Sequence, residues 1–233
     1  MRRLSTSSTS REHWVVFSDI VLAVLFLFML FIFAQYIRYQ KLAIQEERDR
    51  RQEQIARLIA DSVPRRYSVS VDSGQGSLQR VTFSSDLLFP TCSDQLSSSG
   101  RRIVALVGRL LRSRMSYFGS IEVEGHTDPR QPTNTADCPF QDNWELSSRR
   151  AATVVRILVR GASLEPGHLS AVGRAQFHPP PSAAYHSLDS LSDAAMRRRR
   201  RIEMVLQYSE QDIKDSLAAA GGSVGPGGSG HRG

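Results

Sequence analysis

The chain has 233 residues and a formal net charge of +7, most of it from arginine. This length allows one ordinary domain with additional segments, and the charge suits either an anionic polymer or a solvated basic surface. The sequence has no glycine-rich phosphate loop, nucleophile elbow or metal-ligand spacing, so we expect no enzyme, no cofactor and no metal site.

A continuous apolar run at residues 15–34 predicts a membrane-spanning helix. Its 20 residues would rise about 30 Å, the thickness of a bilayer core. A signal peptide would have a shorter apolar core and a small-residue cleavage site, which is absent here, so we expect a retained anchor. We place the transmembrane helix at residues 14–36. Arginines in residues 1–13 weakly favour a cytoplasmic N-terminus.

Asp19 lies inside this apolar run, about one helical turn from its start. An ionised carboxylate within a membrane helix costs on the order of 2.5–3.5 kcal/mol. Aspartates in such places commonly carry protons or ions inside a complex. From position alone, a side chain that snorkels to the headgroups, or that caps a helix beginning near Ile20, is an equally good interpretation.

Residues 37–64 predict a helical linker, because they are rich in Gln, Glu and Arg and contain no Gly or Pro before Pro64. Their apolar residues are too sparse for a clear heptad seam. We therefore expect a solvated helix, with a dimer-forming helix as the alternative. Residues 209–233 are expected to be a disordered tail, since the Ala-, Gly- and Ser-rich end cannot bury a core.

Residues 65–208 predict a two-layer α/β sandwich, because strand and helix patterns alternate. One helix follows three serines at residues 97–99 that can cap it, and it has apolar residues at i, i+3, i+4, i+7 and i+8 from Ile103. A second helix is predicted at residues 144–160, with Gly161 as its C-cap. The predicted strands are residues 67–71, 78–83, 121–125, 169–172 and 201–206.

The string HWVVFSD at residues 13–19 resembles the W-x-x-x-[FY]-[AS]-D signature that opens the membrane helix of MotB-type stator proteins. The resemblance implies that Asp19 is the ion-carrying residue and that the N-terminus is cytoplasmic. It also implies a multi-pass MotA-like partner in the inner membrane and a homodimer within the complex. The helix at residues 37–64 would then have a further alternative role, as a plug that restrains an idle motor.

Segments of residues 65–208 resemble the OmpA-like peptidoglycan-binding family. They are VTF and LFP within residues 81–90, IEVEGHTD at 121–128, N-x-x-L-S-x-x-R-A at 143–151 and RRIE at 200–203. The resemblance implies a periplasmic domain that binds the peptide stem of peptidoglycan through Asp128, Asn143 and Arg150. An acid and an arginine suit the ammonium and carboxylates of diaminopimelate.

Three features depart from the OmpA-like pattern. Residues 129–142 form a longer loop than the family has, and this loop contains Cys138. Cys92 follows LFP, where the family often has glycine. A Cys92–Cys138 disulfide would fasten the loop, and the periplasm permits it, with two free thiols as the alternative.

Arg199 stands where the family usually has asparagine. The arginine run it belongs to could suggest nucleic acid, but we expect no direct nucleic-acid partner.

The two resemblances together predict a subunit of a proton-driven inner-membrane motor that is anchored to peptidoglycan. Within this group the chain is similar to the ZorB-type subunits of Zorya anti-phage defence, whose partner is ZorA-like. The short chain, with no long flexible stretch before the domain, favours that interpretation. A flagellar MotB-like stator and a passive cell-wall tether without ion transport remain as alternatives.

Overall fold

The computed structural model describes residues 9–73, 76–180 and 192–222 and divides the chain into two units, Met1–Glu46 and Glu47–Gly233. The helices are α1 (Thr9–Ser62), α2 (Ser85–Leu88), α3 (Ser98–Arg112), α4 (Asn143–Ala162), α5 (Asp193–Arg199) and α6 (Glu210–Gly222). The strands are β1 (Ser70–Ser73), β2 (Leu78–Ser84), β3 (Phe118–His126), β4 (Leu169–Gly173) and β5 (Arg201–Tyr208).

The first unit contains the N-terminal part of α1. Within Phe17–Ser62, an 18-residue window has a mean hydropathy of 2.7 and none of its residues is buried. Helix length and composition therefore make α1 a candidate membrane span. Asp19 lies on this helix and is exposed. The span that we predict, residues 14–36, remains a prediction.

The second unit is built on a mixed sheet with strand order β1-β2-β5-β3-β4. β3 and β4 are parallel, and the other pairs of neighbouring strands are antiparallel. The parallel pair is joined by α4, as such a crossover requires. The predicted fold class, an apolar N-terminal helix followed by a two-layer α/β domain, is confirmed.

Helices α3 and α4 form the second layer, against the sheet. Of the three serines that could cap α3, Ser97 does so, because its side chain accepts a hydrogen bond from the N–H of Gly100 at 2.9 Å. The two helices approach closely at Gly108, where an added Cβ would lie only 2.6 Å from the Cβ of Ala162. The core between the layers includes Val81, Phe83, Ile103, Val107, Leu111, Ile121, Val123, Val154, Leu158, Ile202, Met204 and Leu206.

The end of α1 is not the solvated linker that the sequence suggested. Ile55 and Ile59, one turn apart, are fully buried in the core of the second unit. The side chain of Gln79 donates to the carbonyl of Gln52 at 2.8 Å, which ties the helix to β2. The compact unit therefore begins at Glu47 instead of at residue 65.

The predicted disordered tail is also partly wrong. Helix α6 occupies Glu210–Gly222, and its Ile213 is fully buried. Residues 223–233 of the predicted tail lie outside the described residues. Ile213 is the one buried residue between positions 210 and 220, which is too weak a periodic signal to detect in an Ala- and Gly-rich segment. Arg51 also donates a hydrogen bond to Ser216 on this helix.

Smaller differences concern element ends. Residues 65–67 form a 3-10 turn, so the first strand begins at Ser70, three residues later than predicted. Helix α4 continues past Gly161, because Ala162 is buried, and Ser163 provides the left-handed C-cap with φ of 56°.

Candidate functional site

The three predicted binding residues meet at one end of the sheet. Asp128 lies two residues after the end of β3, Asn143 begins α4, and Arg150 lies two turns along that helix. All three line one pocket of about 370 Å³. Residues that the sequence did not single out, Asp86 and Arg200 among them, line the same pocket.

Two glycines bring the start of α4 onto the sheet. A Cβ on Gly125 of β3 would overlap the backbone oxygen of Ser147, and a Cβ on Gly173 of β4 would overlap the hydroxyl of Ser148. Only a glycine permits such an approach between strand and helix. The hydroxyl of Ser147 also accepts a hydrogen bond from the N–H of Ala175 at 3.2 Å. These contacts place the first turns of α4 directly over the ends of β3 and β4.

The Asp128 carboxylate is buried and already hydrogen-bonded. It accepts from the backbone N–H of Arg130 at 3.0 Å and from the guanidinium groups of Arg130 and Arg200, each at 2.7 Å. Burial opposes ionisation, but the hydrogen bonds from both arginines outweigh it and hold the pKa of Asp128 below its usual value. The carboxylate is therefore ionised at neutral pH. A ligand ammonium would have to share it with these arginines or displace one of them.

The Arg150 side chain is fixed by three contacts. Its Nε donates to the carbonyl of Ser93 at 2.8 Å, and its Nη1 donates to the hydroxyl of Ser85 at 3.1 Å. The guanidinium also lies 5.1 Å from the ring centroid of Phe89. Burial lowers the pKa of Arg150 to about 10, so the group stays cationic at neutral pH. Because only two of its five N–H donors have these partners, donors remain for a carboxylate in the pocket.

Asn143 has a supporting position. Its side-chain amide donates to the backbone carbonyls of Asp128 and Arg130, both at 3.1 Å. These bonds tie the beginning of the 129–142 loop to the start of α4. Because Asn143 is buried, its effect on a ligand passes mainly through the position of Asp128.

Arg200 is one of the site residues that sequence reasoning missed. It bridges two carboxylates, with Nη1 on Asp128 at 2.7 Å and with Nε and Nη2 on Asp86 at 2.9 and 2.7 Å. The hydrogen bonds from Arg200 hold the pKa of Asp86 below its usual value. The RRIE motif pointed to this region, but the pairing with Asp86, 114 residues away, left no local signal.

The long loop at residues 129–142 is fastened to the pocket wall. Cys92 and Cys138 form a disulfide with a Cα–Cα distance of 5.0 Å. Cys138 packs in a small apolar cluster with Phe140 and Leu146. The loop therefore borders the pocket, which is lined by Cys92 and by Pro132 of the loop.

A second charged cluster lies on the face of the sheet away from α3 and α4. The Nε2 of His126 lies 3.1 Å from a Glu124 oxygen and 3.8 Å from a Glu203 oxygen. These three side chains have ligand atoms within 4.8 Å of one another, close enough for a metal ion. Arginines already bind both carboxylates, with Arg174 on Glu124 at 2.7 Å and Arg201 on Glu203 at 2.6 Å. A cation would have to compete with these ion pairs.

Comparison with known proteins identifies the class of the domain. Residues 88–203 match the model of the OmpA family. The structure of a MotB-like protein from Desulfovibrio vulgaris aligns with a TM-score of 0.61 at 25% identity, over 73% of this chain and 99% of that one. The chain therefore carries an OmpA-like domain and has MotB-like structural neighbours, as predicted.

Other relatives agree with this class. The cell wall anchor of the T6SS from Pseudomonas aeruginosa aligns with a TM-score of 0.54 at 26% identity, over 66% of this chain and 97% of that one. The periplasmic domain of Helicobacter pylori MotB shares the fold, with a TM-score of 0.53 at 18% identity, over 71% and 96% of the two chains. The uncharacterized protein YtxE of Bacillus subtilis is 28% identical over 124 residues, which is 53% of this chain. The chain matches 46% of the length of that relative.

Proposed function

We propose that the chain is a single-pass inner-membrane protein whose C-terminal domain binds peptidoglycan in the periplasm. The observation that carries this proposal is the pocket in which Asp128, Asn143 and Arg150 meet, within an OmpA-like domain. The cell wall anchor among the structural relatives supports it. The candidate span in α1 would supply the membrane attachment.

The pocket chemistry suits a peptide stem that contains diaminopimelate. The Asp128 carboxylate would accept the ligand ammonium, and the unused donors of Arg150 would bind its carboxylate in a forked arrangement. Both groups carry the required charge at neutral pH, since the pKa of Asp128 is lowered and that of Arg150 is about 10. Asn143 would hold the Asp128 backbone in place.

Purified peptidoglycan tests this site in a pull-down with the full chain. We expect Asp128→Ala and Arg150→Ala each to abolish sedimentation of the protein with the wall. Arg149→Ala is the matched control, because Arg149 neighbours Arg150 on α4 but does not line the pocket. If both pocket variants bound peptidoglycan as well as the wild type does, the pocket would not be the peptidoglycan-binding site.

We further propose that Asp19 carries protons in a motor complex with a multi-pass MotA- or ZorA-like subunit and a second copy of the chain. The support is the stator-like signature at residues 13–19 and the MotB-like structural relatives. Asp19→Asn should stop the motor while assembly and wall binding persist. Unchanged motor function in that variant would favour a passive tether. The structural similarity to the cell wall anchor supports that alternative.

The biological use that we propose is anti-phage defence of the Zorya type. The support is the resemblance to ZorB-type subunits, and a flagellar stator is the alternative. Phage plating on cells that express the chain with its neighbouring genes tests this use. We expect protection that Asp19→Asn removes, whereas restored swimming of a stator-deficient strain would favour motility.

A further inference from the structure

An open groove of about 960 Å³ lies between the outer faces of α3 and α4. Five exposed arginines border it: Arg101, Arg102 and Arg109 from α3 and Arg156 and Arg160 from α4. The groove shares no lining residue with the Asp128 pocket. A ligand could therefore occupy it while the pocket holds the wall.

The positive charge of this groove is not balanced locally. Among the described residues that line it, none is acidic. Helix α3 contains no acidic residue, and the one acidic residue of α4, Glu145, lies in the first turn and pairs with Arg149 at 2.8 Å. Five neighbouring cations without a counter-charge favour an anionic partner.

The floor of the groove is mainly apolar. Apart from the arginines, the lining consists of Leu96, Ala105, Leu106 and Ile157, the polar Gln95 and Thr153, and Gly161, which leaves additional room. At Gly161 an added Cβ would make only ordinary contacts, 3.5 Å to Ile157 and 3.6 Å to Ala105. Apolar floors between charged walls accommodate apolar side chains that are flanked by opposite charge.

We propose that this arginine groove docks an acidic amphipathic segment of a partner protein. A polyanionic polymer would pair with the arginines but has no apolar groups that could contact the floor. A bilayer surface is flat on this scale and would not follow a concave groove. An amphipathic helix satisfies both features, because its apolar stripe fills the floor while its acidic flanks meet the arginines on either side.

The test uses the full chain in nanodiscs of zwitterionic lipid and a labelled synthetic peptide. The peptide carries leucines at i, i+3, i+4 and i+7 with glutamates beside them, and fluorescence anisotropy reports its binding. Arg109→Glu and Arg156→Glu should each weaken binding at least about tenfold. Arg112→Glu is the matched control, because Arg112 is exposed on α3 outside the groove, and it should change affinity less than about twofold at physiological salt.

Gly161→Leu separates a docked helix from simple charge attraction. It fills the floor without changing any charge, so peptide affinity should fall about tenfold while circular dichroism and wall binding stay unchanged. Absence of saturable peptide binding would overturn the proposal. So would polyglutamate, or vesicles of phosphatidylglycerol, binding as tightly as the peptide with no response to Gly161→Leu, because the surface would then be a polyanion patch.

Discussion

Asp19 and Asp128 are the two carboxylates on which the proposed function depends, and their surroundings differ. Asp128 is buried and accepts hydrogen bonds from Arg130 and Arg200 within its own unit. Asp19 is exposed, and so is every side chain from residue 17 to residue 42. The C-terminal unit therefore builds its site from its own residues, whereas the apolar N-terminal helix is a candidate membrane span whose side chains are exposed.

Removal of the disulfide should have the largest effect on the stability of the C-terminal unit. Cys92 and Cys138 are 46 residues apart, and a cross-link over such a loop stabilises a domain by about 4 kcal/mol in the chain-entropy model. We expect Cys138→Ser to lower the free energy of unfolding by up to about that amount, as measured by urea denaturation. A reducing agent should lower the stability of the wild type equally and leave the variant unchanged. If the reducing agent lowered the stability of the wild type and of Cys138→Ser equally, the disulfide would not be the source of the stabilisation.

Ile55→Ala tests whether the end of α1 belongs to the folded domain. Ile55 is fully buried, so the substitution should cost about 2–4 kcal/mol of unfolding free energy. Arg57→Ala, at an exposed position on the same helix, should cost less than about 0.5 kcal/mol. If both variants were equally stable, residues 47–62 would be the solvated linker that the sequence suggested.

The burial of Ile55 also shows where sequence reasoning stops. Strand β3 and helices α3 and α4 are predictable because several apolar residues repeat at regular spacing. Short motifs that resemble the OmpA-like family single out Asp128, Asn143 and Arg150, which the structure brings to one pocket, and their binding role remains a prediction. Ile55 and Ile59 form one i, i+4 pair in a charged segment, which is too little periodicity to indicate burial. Arg200 and Asp86 are brought together only by the pairing of distant strands, so no local pattern could reveal their bridge.

Acid sensitivity provides a smaller test of the charged clusters. Burial opposes ionisation of Glu124, but hydrogen bonds from His126 and Arg174 outweigh it and lower the pKa to about 2 from an ordinary 4.5. A lowered pKa stabilises the fold above pH 4.5, and this stability is lost as the pH falls towards 2. Burial and Glu124 raise the pKa of Glu122, which offsets part of the effect.

We therefore expect Glu124→Gln to flatten the fall of the melting temperature between pH 4.5 and 2. Glu210→Gln, at an exposed position on α6, should leave the profile unchanged. If the melting temperature fell equally with pH in the wild type and in Glu124→Gln, ionised Glu124 would not stabilise the fold.

Arg130 should have the smallest effect and the opposite sign. Its exposed side chain forms an ion pair with the Asp128 carboxylate, so it competes with a ligand ammonium for that carboxylate. Arg130→Ala should strengthen binding of peptidoglycan fragments by about threefold, a difference below 1 kcal/mol. Weaker binding would show that Arg130 assists the ligand, either by holding Asp128 in position or by contacting a ligand carboxylate.

Calorimetric titration of the full chain with two muramyl peptides tests the central claim most directly. One peptide carries diaminopimelate, and the other carries lysine, which has the ammonium but lacks the second carboxylate. The forked contact from Arg150 predicts tighter binding of the diaminopimelate peptide by the wild type, and no preference in Arg150→Ala. If the wild type bound both peptides equally, or if Arg150→Ala kept the preference, this pocket would not be the wall-binding site that we propose.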